Sequence, residues 1–241
     1  MTGRVAGVDG CPMGWAAVFQ TIDGVGAPVF AVVDAFAAIL DHPLRPDVIA
    51  VDMPIGLPER IGRGGRGPER AVRPLLGERQ SSVFAVPSRA AVMEEDYRRA
   101  CQVALATSDP PKKVSKQCFH LFPKIREIDA LMTPALEARV HECHPELGFW
   151  RLNGERPMGL PKKVKSRANP AGLAERRDLL VHHGYEESFL TRPLPSGVGA
   201  DDRLDAAVLA LVAIRIATGE AESFPAVPGR DAKGLRIAIW A

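Results

Sequence analysis

Short apolar runs separated by turn residues open the chain. Residues 4–8 and 14–20 predict two strands joined through the Gly/Pro turn of "DGCPMG", and hence a hairpin. Residues 28–33, rich in Val and Phe, predict a third strand, residues 34–40 a helix, and residues 47–51 of "DVIAVD" a short buried strand ending on Asp52. A hairpin followed by strand, helix and strand predicts an α/β fold built on a mixed sheet. Beyond this point the period changes. Residues 68–76 and 91–106 have helical character, and residues 122–139 predict two helices broken near Pro134. "ARVHECHPE" returns to strand composition, residues 174–183 are helical, and "RPLPSGVGA" is a Pro/Gly linker. Residues 202–218 predict the best-defined helix, and "GLRIAIW" closes the chain as a strand. With no internal repeats, the expectation is one domain over residues 1–241 with a helical insertion at about residues 60–138, after the fourth strand.

Composition narrows the class without deciding it. A chain of 241 residues, 46% hydrophobic and 25% charged, suits one sizeable core and is short for two. The net charge of +2 is too small to announce a polyanion partner, although basic residues cluster in "SDPPKKVSKQC" and "PKKVKSRANP". Cys11, Cys101, Cys118 and Cys143 are widely spaced, without a C-x-x-C pair, and the first residues lack the basic and apolar regions of a signal peptide. A reduced, cytoplasmic chain is therefore expected. The longest apolar run, residues 206–214, is far below the ~18 residues of a membrane span, so no membrane partner is expected.

Three motifs invite chemistry. "GRGGRG", residues 62–67, matches G-x-G-x-x-G in form, but it follows Pro54 and Pro58 and does not occupy the tip of a first strand, where a dinucleotide loop belongs. A loop approaching phosphates through Arg63 and Arg66 is the milder reading. In "HECH", residues 141–144, strand alternation puts His141 and Cys143 on one face and Glu142 and His144 on the other, and no pair has structural zinc spacing. A core histidine beside a core cysteine is the simpler account.

The third motif concerns acids where acids are costly. Asp9 and Asp52 each sit at or near the end of a short apolar strand, and "ADDRLDAAVLA" places Asp202 and Asp205, or Asp201 and Asp205, on one face of the first turns of an apolar helix. A helix cap explains one of these last carboxylates but not both. Like charges held together repel, and a hard divalent ion is the common way to hold them. Mg2+ or Mn2+ bound by Asp9, Asp52, Asp202 and Asp205 is the expected cofactor, with Asp9 as a bridging ligand. Glu142 and Glu146 of "ECHPE" either extend this site or brace it.

The order of strand acid, hairpin, strand acid and late D-x-x-D helix resembles the ribonuclease H-like fold, and "DRLDAAVLA" resembles the last helix of RuvC-type junction nucleases. More closely, "GVDGCPMGW", "VDMPIGLP", "SSVFAVPSR", "SKQCFHLFPKIREID", "ECHPELGF" and "DDRLDA" resemble the DUF429 family of predicted nucleases. The resemblance implies a ribonuclease H-like mixed sheet flanked by helices, and the four aspartates as catalytic metal ligands. In "GPERAV" the chain offers Glu69 and Arg70 where that family often has an Arg and an Asp.

The resulting expectation is a phosphodiester hydrolase acting on DNA or RNA. Lys112, Lys113 and Lys165 in the basic loops, with Lys116, Lys124, Lys162 and Lys163, would meet phosphates. A rival is the ATP-dependent transferase of the actin and sugar-kinase type, whose phosphate loop also follows a first-strand Asp-Gly. It requires a second such domain, for which 241 residues leave little room. A third reading is a non-catalytic binding protein that retains the fold, and metal-dependent turnover separates it from the first.

Overall fold

In the structure, a computed structural model, residues 3–165 and 167–241 are described. Ser166, in the second basic loop, lies outside the described residues. Strands β1 (Arg4–Cys11) and β2 (Gly14–Thr21) form the expected hairpin, followed by β3 (Val29–Val33), helix α1 (Ala37–Leu40) and β4 (Val48–Val51). Helices α2 (Gly67–Val72), α3 (Arg89–Val92), α4 (Tyr97–Ala106) and α5 (Lys116–Leu131) then precede β5 (Val140–Glu142). Helix α6 (Pro145–Leu152), the small hairpin β6 (Lys163–Val164) and β7 (Arg167–Ala168), and helices α7 (Pro170–His182), α8 (Glu187–Thr191) and α9 (Ala200–Thr218) follow. Strands β8 (Ser223–Arg230) and β9 (Arg236–Trp240) close the chain as a separate antiparallel pair.

The main sheet runs in the order β3-β2-β1-β4-β5. Its β1–β2 and β2–β3 pairs are antiparallel, while β1–β4 and β4–β5 are parallel. Both faces are buried. Ala6, Val8, Trp15, Phe19, Ile49 and Val51 join Phe122 and Ile125 of α5 in one core, while Val5, Val18 and Ala50 join Phe149, Leu180 and the apolar length of α9 in another. Strand alternation assigns these faces, and it assigns Gly7 and Asp9 to the α9 face along with Val5. Gly7 is required there. A methyl group at this position would overlap the Ala206 carbonyl oxygen and the Ala210 nitrogen, so the backbone of α9 lies directly on β1.

Several boundaries differ from the sequence pattern for local reasons. The helix expected over residues 91–106 is broken, and α4 restarts where the Asp96 side chain accepts the Arg99 N–H at 2.9 Å. Helix α5 begins earlier than its apolar pattern, capped by Ser115, and continues through Pro123 because Cys118, Phe122, Ile125 and Ile128 are all buried. The strand expected through "ECHPE" ends at Glu142, since Pro145 is well placed as the first residue of a helix. Strand β8 escapes the pattern because it carries Pro225 and Pro228 and contains a register shift.

Candidate functional site

The alternation that points Gly7 at α9 also points Asp9 that way, and Asp52, two residues beyond Ala50 of the same core, follows suit. The Asp52 N–H donates to the Val8 carbonyl at 2.9 Å, fixing the end of β4 beside Asp9. Because α9 lies on β1, its first turns bring Asp202 and Asp205 to the same end of the sheet. Asp9, Asp202 and Asp205 are buried and Asp52 is half-buried. Burial pushes Asp9 well above the usual carboxylate range, and the neighbouring charges of Asp205 and Asp52 push it further. Burial also raises Asp52, against the pull of His144 and Lys162. Asp205 is raised by burial to about 7, with Lys162 opposing the shift and Glu146 and Asp52 adding to it.

Lys162 is the cation among these acids. Its ammonium donates to Asp205 Oδ2, while Asp205 Oδ1 is buried without a partner. Lys163 pairs with Asp201 at 2.5 Å. Two of the lysines expected to meet phosphate are thus engaged by acids of α9. Lys124 lies half-buried on the other side of Asp9, with Nζ 2.5 Å from the Gly14 carbonyl oxygen and 4.4 Å from the centre of the Trp15 ring. Lys112, Lys113, Lys116 and Lys165 are exposed.

Asp202 takes part in capping, as its place at the start of the helix leads one to expect. Helix α9 begins at Ala200 with Gly199 as its cap residue, so Asp202 reaches backwards and accepts the Gly199 N–H at 2.8 Å. Burial raises Asp202, and this hydrogen bond partly offsets the rise.

Glu142 and Glu146 are both held by arginines. Arg176 of α7, fully buried, grips Glu146 through Nη2 at 2.7 and 2.8 Å and through Nε at 3.1 Å. Burial pushes Glu146 up, but Lys162 and Arg176 outweigh it and hold the carboxyl below its ordinary value. Arg66 donates to Glu142 at 2.5 and 3.1 Å, to Glu69 at 2.7 Å, and to the Ile55 and Gly56 carbonyls. The Ile55 N–H also donates to Glu142 at 2.7 Å. The Gly/Arg loop therefore sends Arg66 inward, away from any solvent phosphate. Arg176 escapes sequence reasoning and Arg66 is expected there at a phosphate, although buried acids in "ECHPELGFW" imply that cations must reach them from elsewhere.

Thiol chemistry is disfavoured. Burial pushes Cys118 up to about 12 and Cys143 well above its ordinary value, so neither supplies a thiolate near neutrality. The His141 ring packs edge-on against Trp240, and burial lowers it to about 4, in keeping with a core histidine. Among the described residues, no three His, Cys, Asp or Glu side chains stand in a geometry ready to hold one metal ion.

With this geometry in place, the comparisons with known proteins add one relationship. A family profile described as "Protein of unknown function (DUF429)" matches residues 7–230, from β1 to the end of β8. The chain belongs to the DUF429 family. The matched span includes Asp9, Asp52, Asp202, Asp205, Lys162 and both buried arginine pairs, so the whole site falls within the DUF429 region. No curated protein and no solved structure matches the chain. Among the described residues no helix is long and apolar enough to cross a membrane.

Proposed function

We propose that this DUF429 protein is a divalent-metal-dependent phosphodiester hydrolase acting on nucleic acid, built on a ribonuclease H-like sheet. The observation that carries the reading is the convergence of acids from β1, β4 and α9, distant in sequence, on one end of one sheet face. A mixed sheet with a first-strand acid, a fourth-strand acid and a late acid-bearing helix supports the fold assignment. The donor chemistry suits Mg2+ or Mn2+, since the candidate ligands are all carboxylate oxygens and Asp205 Oδ1 is buried without a partner. Asp9, Asp52 and Asp205 would hold the ion, with Asp202 beside them. Bound there, the ion supplies Lewis acidity for the charge that develops at a phosphodiester.

The remaining work falls to the chain. Lys162 must withdraw from Asp205 before that carboxylate can serve as a ligand, and it is then free to meet a phosphate oxygen. Arg176 fixes Glu146, so that this acid braces the cluster without joining it. His144, beside Asp52, is placed to move a proton at the site's edge.

The Lys162–Asp205 ion pair also favours a second reading, a binding protein in which the lysine permanently fills the cation's place. Calorimetric titration with Mn2+, followed by incubation with single-stranded and branched nucleic acids, separates the two. Mn2+ binding that disappears in Asp9→Asn, together with Mn2+-dependent cleavage, supports the hydrolase. The absence of both removes the hydrolase and leaves the binding reading.

A further inference from the structure

Beside the carboxylates lies a cavity of about 210 Å3, with Asp9 and Asp52 in its wall. It is smaller than the roughly 300 Å3 at which drug-sized sites begin. That size suits a single ring system. Phe84, Leu121 and Ile125 supply an apolar lining, and Phe84 and Leu121 are only partly buried. Arg66, Glu69 and Glu142 also line the cavity, but their charges are spent on one another. The lining also includes Ser82 and His120, and two further polar groups bear on a ligand. His144 lines the cavity with its Nδ1 buried and without a partner, and the Lys124 ammonium lies on the wall next to Asp9.

We propose that this cavity receives a single unstacked nucleobase of the nucleic acid whose phosphate reaches Asp9 and Asp52, so that the substrate is a single strand or strand end and not a continuous duplex. The proposal rests on the hydrolase reading for its substrate class. The apolar lining, with the Phe84 ring, takes the face of the base, and His144 Nδ1 meets a polar atom on its edge. Lys124, which keeps two ammonium protons beyond the one given to the Gly14 carbonyl, is the cation the cavity offers to the phosphate. A base inside a duplex is held by stacking and pairing, and extracting it costs a few kcal/mol, whereas a single strand presents its bases at less cost.

Binding of the full chain in EDTA, followed by fluorescence anisotropy, tests the proposal without cleavage. Three probes are compared: a short single strand, an abasic strand of the same length, and a duplex closed by hairpin loops at both ends. The base-bearing strand should bind at least about tenfold more tightly than either of the others. Phe84→Ala, which removes the ring, and Leu121→Trp, which fills the cavity, should each lower its affinity to that of the abasic strand, with folding checked by circular dichroism. Equal binding of abasic and base-bearing strands by the unaltered protein, or no measurable binding of any probe, overturns the proposal even if both variants fail to fold. Full affinity in a folded variant of either kind also overturns it. Base-dependent binding without Mn2+-dependent cleavage keeps the pocket and removes the hydrolase. Cleavage that ignores the bases does the reverse.

Discussion

Asp9 is buried among like charges, with no hydrogen-bond donor to its carboxylate among the described residues. Asp9→Asn should therefore raise the melting temperature in metal-free buffer while abolishing Mn2+ binding, as read by calorimetry and thermal unfolding, because relief of repulsion and removal of a ligand act together. Asp205 carries the clearest pH signature. Its carboxyl titrates near 4 when unfolded and at about 7 when folded, so the folded state binds the proton more tightly. The stability this group contributes is complete below about pH 4 and is lost as pH rises through 7. Metal-free unfolding curves should consequently show wild type losing stability relative to Asp205→Asn between those limits. Asp202 has a separate duty as the acceptor of the Gly199 N–H. Asp202→Ala should cost about 0.5–2 kcal/mol in chemical denaturation, the range for removal of a cap.

At the level of elements, the meeting of β1 and α9 sets the geometry. Gly7→Ala would force these backbones apart, and a cost of at least about 1–3 kcal/mol, the range for overpacking, is expected in thermal unfolding. Mn2+ affinity should fall in the same variant, since Asp9 and Asp205 separate with their elements. Lys162 is carried just ahead of β6 and buries its charge against Asp205. Lys162→Met leaves the acids without that cation and should lower metal-free stability by up to about 3 kcal/mol. Saturating Mn2+ should restore more stability to this variant than to wild type. Part of this arrangement is legible in the sequence. Alternation and helical spacing expose Asp9, Asp52 and Asp205 as acids in apolar settings that require partners. The partners themselves are hidden, because Arg66, Lys162 and Arg176 occupy stretches that resemble solvated loops or helix surfaces. Their ion pairs span 76, 43 and 30 residues.

Over the whole molecule, charge is divided between lysines held at the acids and lysines left in solvent. Lys112, Lys113 and Lys116 belong to the second group. Replacing all three with Ala should flatten the salt dependence of single-strand binding by about 0.7 in log-log slope for each phosphate that these side chains no longer neutralise. An unchanged slope would make them ordinary surface. The α/β class and the opening hairpin are legible because their apolar runs are short and punctuated by turns. The closing β8–β9 pair is only half legible, as its prolines disguise one strand. The direct seating of α9 on Gly7 also bears on synthesis. The ribosome makes β1 long before α9, and domains that depend on such distant pairings form late. Until then the inner face of β1 lacks its cover, and Asp9 remains in water as an ordinary carboxylate. The acid cluster therefore comes into being only once α9 has emerged, long after the strand that carries Asp9.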